Sequence, residues 1–164
     1  MKYKMILFMC LMSCTFLFAT ASDLPNLYQP RYLVFTSGQP TNLGYRLLQQ
    51  MGVQTVINVL PLSECDPGER SMVIANDMFY FSNPFDPTNL NRDAVIEFGK
   101  LIKNVDKPVL VHCSTGNHVG GLWFAFRVLI EKQPVGVAIT EGRRIGMKAE
   151  MENAVLQWLA NGAI

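Results

Sequence analysis

The stretch VLVHCSTGNHVGG, residues 109–121, decides the fold. It begins with an unbroken apolar run, which is typical of a strand covered on both faces. The segment GLWFAFRVLI, residues 121–130, is apolar nearly all round, which indicates a buried helix. A buried strand and a buried helix joined by small residues predict the centre of an α/β domain.

Cys113 lies at the junction of this strand and this helix. The free amides and the dipole of a helix N-terminus favour negative charge, so we expect a reactive thiolate here. The next residues have little bulk, and their amides are expected to form a nest around an oxyanion; they are Ser114, Thr115, Gly116 and Asn117. This loop predicts in-line attack by Cys113 on phosphorus. The alternative is a structural cysteine that ends a buried strand.

The remaining pattern alternates strands with helices and shows no internal repeat. Strands are expected at residues 32–35, 55–60, 79–81 and 109–111. Helices are expected near residues 41–51, 71–78, 92–105, 121–130, 136–147 and 150–159. Such alternation predicts a mostly parallel sheet of about four or five strands flanked by helices, with function at the carboxyl ends of the strands.

Apolar spacing also predicts which face of three helices is buried. The first of these helices is expected to be capped by Thr41 or Asn42, to end at Gly52 and to bury Leu43, Leu47 and Met51. The helix after Asn91 is expected to bury Val95, Phe98, Leu101 or Ile102, and Val105. The last helix is expected to bury Met151, Val155, Trp158 and Leu159.

The N-terminal segment has the pattern of a secretory signal. Lys2 and Lys4 precede an apolar run, and the small residues 19–21 precede Ser22. We therefore expect residues 1–21 to be a signal peptide and residues 22–164 to be one domain that is periplasmic or secreted, with no membrane span after processing. The alternatives are a permanent membrane anchor and a lipoprotein modified at Cys14.

Composition narrows the partners. Two of the 14 basic residues lie in the signal segment, so 12 remain against 13 acidic residues, a net charge of −1. This balance does not suit a nucleic-acid partner. Only Cys65 and Cys113 remain after processing, which is too few for a disulfide-built scaffold.

Three motifs carry a resemblance to a known family: SGQP at residues 37–40, TVINVL at 55–60 and HCSTGNHVGGLW at 112–123. They resemble the bacterial phosphatase-like domains of the beta-lactamase-hydrolase-like family, which are related to dual-specificity protein phosphatases. The likeness extends over nearly all of residues 27–160. It implies a three-layer cysteine-phosphatase-like fold without a cofactor. It also implies a Cys113 thiophosphate intermediate and, as partner, a phosphate-like oxyanion or a small-molecule or protein phosphoester.

The cysteine loop departs from that family at its arginine. Cysteine phosphatases carry arginine six positions after the cysteine, where this chain has Val119, and the closer bacterial family carries it at the position of His118. Each charge-assisted hydrogen bond is worth about 1.5–3 kcal/mol, so the loss of one or two is expected to lower the rate about ten- to 10⁴-fold. We expect weak phosphomonoester hydrolysis, with His118 as a pH-gated anion ligand or else merely a packed histidine. The alternatives are an inactive anion- or phosphoprotein-binding module and a rhodanese-like sulfurtransferase acting through a Cys113 persulfide.

Other residues have hypothetical supporting roles. His112 is expected to orient the loop, or else to be an ordinary buried histidine. Asp86 is the first choice for the acid that protonates the leaving group, and Asp66 is the second. Cys65 is a possible redox partner that forms a reversible disulfide with Cys113.

Two further sets of residues are weaker candidates. Arg143 and Arg144 either supply the missing positive charge or form a solvated helix face. A zinc site built from His112, Cys113 and His118 is not expected, because adjacent residues with one sulfur are not a usual ligand set.

Overall fold

The computed structural model describes residues 22–163. The expected signal peptide, and with it the expected localisation, concerns residues outside this range. Five strands form one sheet: β1 (Tyr28–Arg31), β2 (Val34–Ser37), β3 (Thr55–Asn58), β4 (Phe79–Ser82) and β5 (Val109–His112). Their spatial order is β1-β2-β5-β3-β4, and only the β1–β2 pair is antiparallel. The predicted α/β class with a mostly parallel sheet is confirmed.

The helices cover both faces of the sheet. They are α1 (Asn42–Gln50), α2 (Glu69–Ala75), α3 (Arg92–Asn104), α4 (Asn117–Leu129), α5 (Val135–Ile145) and α6 (Ala149–Trp158). One core contains residues of α1 and α2 with Val56 and Leu110 of the sheet. The other contains residues of α3 to α6 with Ile57 and Val111. Side chains that alternate along β3 and β5 thus enter opposite cores, which gives three layers.

The expected strand at residues 32–35 is only partly correct, because Val34 and Phe35 begin β2 but the two residues before them form the turn of a hairpin. Tyr32 and Leu33 separate β1 from β2, and Tyr32 is 82% exposed. Leu33 adopts a left-handed φ of 59°. Glycine or asparagine usually marks such a turn, and neither is present here, so the sequence carried no turn signal.

The expected buried face of α1 is also wrong. The buried residues are Gly44, Tyr45 and Leu48, while Met51 is exposed. A polar contact turns Tyr45 inward, because its hydroxyl donates a hydrogen bond to the buried Glu69 carboxylate. Thr41 caps the helix by accepting the Gly44 amide at 3.1 Å.

The faces of α3, α4 and α6 largely follow the sequence pattern. Val95, Phe98 and Ile102 of α3 are buried, and α4 is buried almost all round. Met151, Val155 and Leu159 enter the core at the end of the chain, whereas Trp158 is half-buried. Within residues 22–163, the helices are too short or too polar to cross a membrane.

Candidate functional site

Cys113 follows β5 directly, and β5 lies between β2 and β3 in the sheet. The Gly116 amide donates a hydrogen bond to Cys113 Sγ at 3.1 Å. The cysteine loop, residues 113–119, therefore curls around its own sulfur before α4 continues. The side chain of Cys113 is fully buried.

Partners outside the cysteine loop hold its carbonyls. The Gln39 amide donates to Ser114 O, and Asn26 Nδ2 donates to Thr115 O, both at 3.0 Å. Because the C=O and N–H of a trans peptide point in opposite directions, the amides of Thr115 and Gly116 point toward the inside of the loop. This is the orientation that an anion nest requires.

Gly116 has the predicted left-handed backbone, with a φ of 91°. A Cβ at this position would lie 2.5 Å from Ile145 O, so no other residue fits. Asn117 also serves this packing, because its Oδ1 accepts the Lys148 amide at 2.8 Å. Gly116 and Asn117 therefore fit the α5–α6 connection whether or not the loop binds a ligand.

The two positions where arginine is expected differ in their surroundings. Val119 is buried in the hydrophobic core. His118 is half-buried, and its buried Nδ1 has no hydrogen-bond partner within residues 22–163. Burial lowers the pKa of His118, although the Glu64 and Asp86 carboxylates act in the opposite direction. His118 is therefore largely neutral at neutral pH and is not a permanent cation.

Asp86 lies in a turn. Its Oδ1 accepts the Thr88 hydroxyl at 2.7 Å and the Thr88 amide at 2.8 Å. These two hydrogen bonds, and the nearby His118, lower the pKa of Asp86. Asp66 also lies in a turn, where its Oδ1 accepts the Gly68 backbone amide at 2.8 Å. A carboxyl that is ionised at neutral pH is a poor proton donor, so the general-acid role of Asp86 stays a prediction.

A buried carboxylate that the sequence analysis missed lies beneath the loop. Glu69 is fully buried, and His112 Nε2 lies 2.8 Å from its Oε1. The other polar groups on this carboxylate come from three strands or loops and one helix; they are Gln39, Tyr45, Asn58 and Tyr80. We call these six residues, with His112 and Glu69 included, the Glu69 cluster.

The Glu69 cluster holds a negative charge without solvent. Burial opposes ionisation, but the contact with His112 and the hydrogen bonds from Tyr45 and Gln39 lower the pKa of Glu69 to about 2. Burial and the neighbouring carboxylate raise the pKa values of Tyr45 and Tyr80. The tyrosines therefore remain donors, and Glu69 remains an acceptor, over the physiological range.

The three sequence motifs meet at Glu69. Gln39 belongs to SGQP, Asn58 to TVINVL and His112 to the cysteine motif. Gln39 also links the cluster to the loop. Its side-chain Nε2 donates to Glu69 Oε1, while its backbone N–H donates to Ser114 O. The sequence offered one indirect signal, since a histidine at the end of a buried strand needs a polar partner. Several acidic residues between 64 and 69 matched that need equally well.

Cys65 and Cys113 are both free thiols. Cys65 Sγ lies 3.5 Å from Pro61 O and 3.7 Å from Asn58 Nδ2. Burial, Glu69 and Glu64 raise the pKa of Cys65, which lowers its thiolate fraction. A reversible disulfide between Cys65 and Cys113 stays a prediction.

Arg143 and Arg144 lie on the surface of α5. Arg143 donates from Nε and Nη2 to the Glu152 carboxylate, both at 2.7 Å. Its charge is therefore already paired with α6, which favours the solvated-face interpretation for Arg143. No three His, Cys, Asp or Glu side chains in the part of the chain that the structure describes are grouped to hold a metal ion.

The comparisons with known proteins agree on the fold. No protein-family model matches the chain. The curated Mycosarcoma maydis protein named "Putative tyrosine-protein phosphatase OCA1" is 28% identical over 105 residues, 59% of this chain and 65% of that protein. The chain thus matches less than two thirds of the length of that relative.

Solved structures resemble almost the whole described chain. TpbA of P. aeruginosa superposes with a TM-score of 0.69 at 19% identity, covering 88% of both chains. A "putative phosphatase (DUF442)" from Shewanella putrefaciens has a TM-score of 0.66 at 23% identity, covering 86% of this chain and 95% of that one. The PP-IP phosphatase Siw14 of S. cerevisiae, solved with citrate, has a TM-score of 0.66 at 15% identity, covering 80% and 83%. The cysteine-phosphatase-like fold is confirmed; the beta-lactamase-hydrolase-like family is not.

Proposed function

We propose that this chain is a cysteine-dependent phosphatase with weak phosphomonoester activity, in which Cys113 is the nucleophile. The hydrogen bond from the Gly116 amide to Cys113 Sγ carries the proposal. It brings the sulfur and the inward amides of the loop to one point, at the start of α4 and at the carboxyl end of a central strand. In a fold of this kind, ligands bind at that edge of the sheet.

The reaction proceeds in two displacements. Cys113 Sγ attacks phosphorus, so that an S–P bond forms while the P–O ester bond breaks, and the leaving alcohol or phenol takes up a proton. Water then attacks phosphorus and breaks the S–P bond, which returns the thiol and releases inorganic phosphate. The inward amides of the loop bind the non-bridging oxygens during both steps.

Two features of the site make the proposed activity weak. His118 is largely neutral, so the loop offers amide dipoles but no permanent charge to a phosphate dianion. Cys113 is also fully buried, so the loop must part over the sulfur before an ester reaches it. None of the four surface cavities of about 340–470 Å³ found in the described chain opens onto Cys113, because residues outside the cysteine loop line all four.

The substrate is proposed to be a phosphoester or a similar oxyanion. In support, a Cys-to-Ser variant of TpbA was solved with pTyr, and Siw14 is named a PP-IP phosphatase. Membership of the beta-lactamase-hydrolase-like family, a bacterial source and a periplasmic or secreted location belong to the same proposal. Their support is the cysteine motif and the pattern of residues 1–21.

A second candidate is an anion- or phosphoprotein-binding module without catalysis. The low pKa of His118 and the buried Val119 favour it, because neither expected position supplies a cation. The described site has no comparable feature that favours the sulfurtransferase alternative. The experiment below nevertheless measures sulfur transfer as well.

The test compares three reactions of the intact protein with those of Cys113→Ser. They are release of phosphate from an aryl phosphate, binding of inorganic phosphate, and transfer of sulfur from thiosulfate to cyanide. Phosphate release that Cys113→Ser abolishes supports the proposal. Binding without release supports the binding module, and sulfur transfer that exceeds phosphate release supports the sulfurtransferase.

A further inference from the structure

The edge strand β4 exposes an apolar surface that the proposed activity does not use. It has the sequence FYFS and pairs with β3 only, at one edge of the sheet. Phe79 is 57% exposed and Phe81 is 38% exposed. Edge strands that remain unpaired are commonly protected by lysine, proline or an inward-pointing charge. Residues 79–82 contain none of these.

The backbone of β4 offers hydrogen-bonding groups at fixed positions. The Phe79 amide donates to Gln54 O and the Asn83 amide donates to Asn58 O, both at 2.9 Å. Successive residues of a strand direct their backbone N–H and C=O groups to opposite sides. The backbone groups of residues 79, 81 and 83 therefore point toward β3. Tyr80 and Ser82 therefore present their backbone groups to the open edge.

The open backbone groups of Tyr80 and Ser82 can pair with the same groups of a second copy of β4. A twofold axis through Phe81 pairs Tyr80 of one copy with Ser82 of the other, and the reverse, which uses all four open groups in an antiparallel ladder. Phe81 then faces its own counterpart as a non-hydrogen-bonded pair. An axis through Tyr80 uses fewer groups, because the Met78 amide already donates to Val73 O.

Charges beside β4 match the same symmetry. A groove of about 470 Å³ between α2 and β4 is bordered by Arg70 and Asp77. Arg70 follows Glu69, whose carboxylate accepts Asn58, the register partner of Ser82 at the end of β4, and Asp77 precedes the strand. The antiparallel axis therefore brings Asp77 of one copy toward Arg70 of the other. The groove on the opposite face, about 350 Å³, is lined by Phe79 and Phe81 with Glu97 and Lys100.

We propose that β4 is a self-association surface through which a second copy of this chain extends the sheet, with the twofold axis at Phe81. Pairing buries the exposed phenylalanines and satisfies the open backbone groups. In such a dimer the strands of the two copies run in opposite directions. The two cysteine loops, each at the carboxyl end of its own β5, therefore lie at opposite ends of the joined sheet. Self-association is therefore independent of the activity proposed for Cys113.

The first test is the mass of the full chain in solution as a function of its concentration. A four-residue ladder forms a small interface, so we expect a weak, concentration-dependent dimer. Sedimentation is expected to show a mass that rises from 18.4 kDa toward twice that value. Phe81→Lys is expected to remain monomeric with unchanged aryl phosphatase activity. The matched control is Tyr32→Lys, which changes an exposed aromatic at the opposite edge of the sheet and is expected to dimerise like wild type.

The second test measures the register directly. Phe81→Cys places two cysteines face to face across the axis, so oxidation is expected to join the copies. Ser82→Cys places its cysteines diagonally, beyond the reach of about 7 Å between Cα atoms that a disulfide allows. A constant monomer mass, dimers of Phe81→Lys, or equally fast cross-linking of both cysteine variants overturns the proposal. A monomer that instead binds an added extended peptide at β4 also overturns it, in favour of a foreign strand.

Discussion

The residue that most limits the proposed chemistry is His118. Replacing it by arginine supplies a permanent charge and a planar pair of donors at the start of α4. We expect His118→Arg to raise turnover of an aryl phosphate by at least about tenfold. The matched control is Gln50→Arg, which adds the same side chain at the exposed end of α1, at the opposite end of the sheet. Equal activity of both variants would contradict the assigned role of His118.

The same histidine gives the proposed activity a pH dependence. Burial lowers the pKa of His118 below its ordinary value of 6.5, so its positive charge is present only in acid. As pH rises toward neutrality that charge is lost, and we expect wild-type turnover to fall with it. Arginine does not titrate in this range, so His118→Arg is expected to lose this fall. A wild-type profile that is flat from mildly acid to neutral pH would count against the hypothesis.

Glu69 is a buried carboxylate on which the stability of the fold depends. Glu69→Gln removes the charge and replaces one of the two acceptor oxygens by an NH₂ group, so Tyr45, Asn58 and Tyr80 no longer all have an acceptor. A buried polar group that loses its hydrogen-bond partner costs about 1–3 kcal/mol, and more than one donor loses its acceptor here, so we expect a loss of about 3 kcal/mol in the free energy of unfolding. Glu97→Gln, on the exposed surface of α3, is expected to change it by less than about 0.5 kcal/mol. Urea denaturation of both variants measures the difference.

Acid should reveal the same charge in the wild-type protein. The folded pKa of Glu69 is about 2, below its ordinary value of 4.5, so folding favours the ionised form. Its contribution to stability is complete above about pH 4.5 and is lost as pH falls toward 2. Glu69→Gln is therefore expected to show a smaller loss of stability over this interval. Parallel curves for the two proteins would show that Glu69 does not carry the effect.

At the scale of elements, α4 is fixed by glycines that allow close approach. A Cβ at Gly120 would lie 2.6 Å from Gly142 O and 2.8 Å from the Met147 amide nitrogen. Gly120→Ala therefore pushes α5 away, and overpacking of this kind costs about 1–3 kcal/mol. The control is Gly136→Ala on α5, where no atom lies within 4 Å and alanine is expected to stabilise the helix by about 0.5–1 kcal/mol. Thermal denaturation of both variants tests the contrast.

The glycine pair also shows where sequence reasoning stops. The apolar patterns of α3 and α4 predicted their buried faces because hydrophobic burial decides those faces. Gly120 and Gly121 directly follow the cysteine loop, and α5 and α6 pack closely against them. A sequence shows that a residue is small but does not show which neighbour requires it. For the same reason, the buried face of α1 depended on a hydrogen bond between Tyr45 and Glu69, which are distant in sequence.

At the scale of the whole molecule, the order of strands and helices was predictable because alternation and buried strands leave few topologies. The position of Cys113 at a carboxyl end of the sheet followed from the same rule. The Glu69 cluster was not predictable, since it joins α1, α2, β3, β4, β5 and the loop after β2. Local patterns carry no record of such polar contacts between distant segments.

The central claim, that Cys113 is a nucleophile toward phosphorus, is tested most directly by intact-mass spectrometry after rapid acid quench. The protein is mixed with an aryl phosphate in mildly acid solution and quenched within a single turnover. We expect one added phosphoryl group, located on Cys113 by peptide mapping and absent from Cys113→Ser. Equal phosphate release by both proteins, with no adduct on the wild-type chain, would contradict the claim.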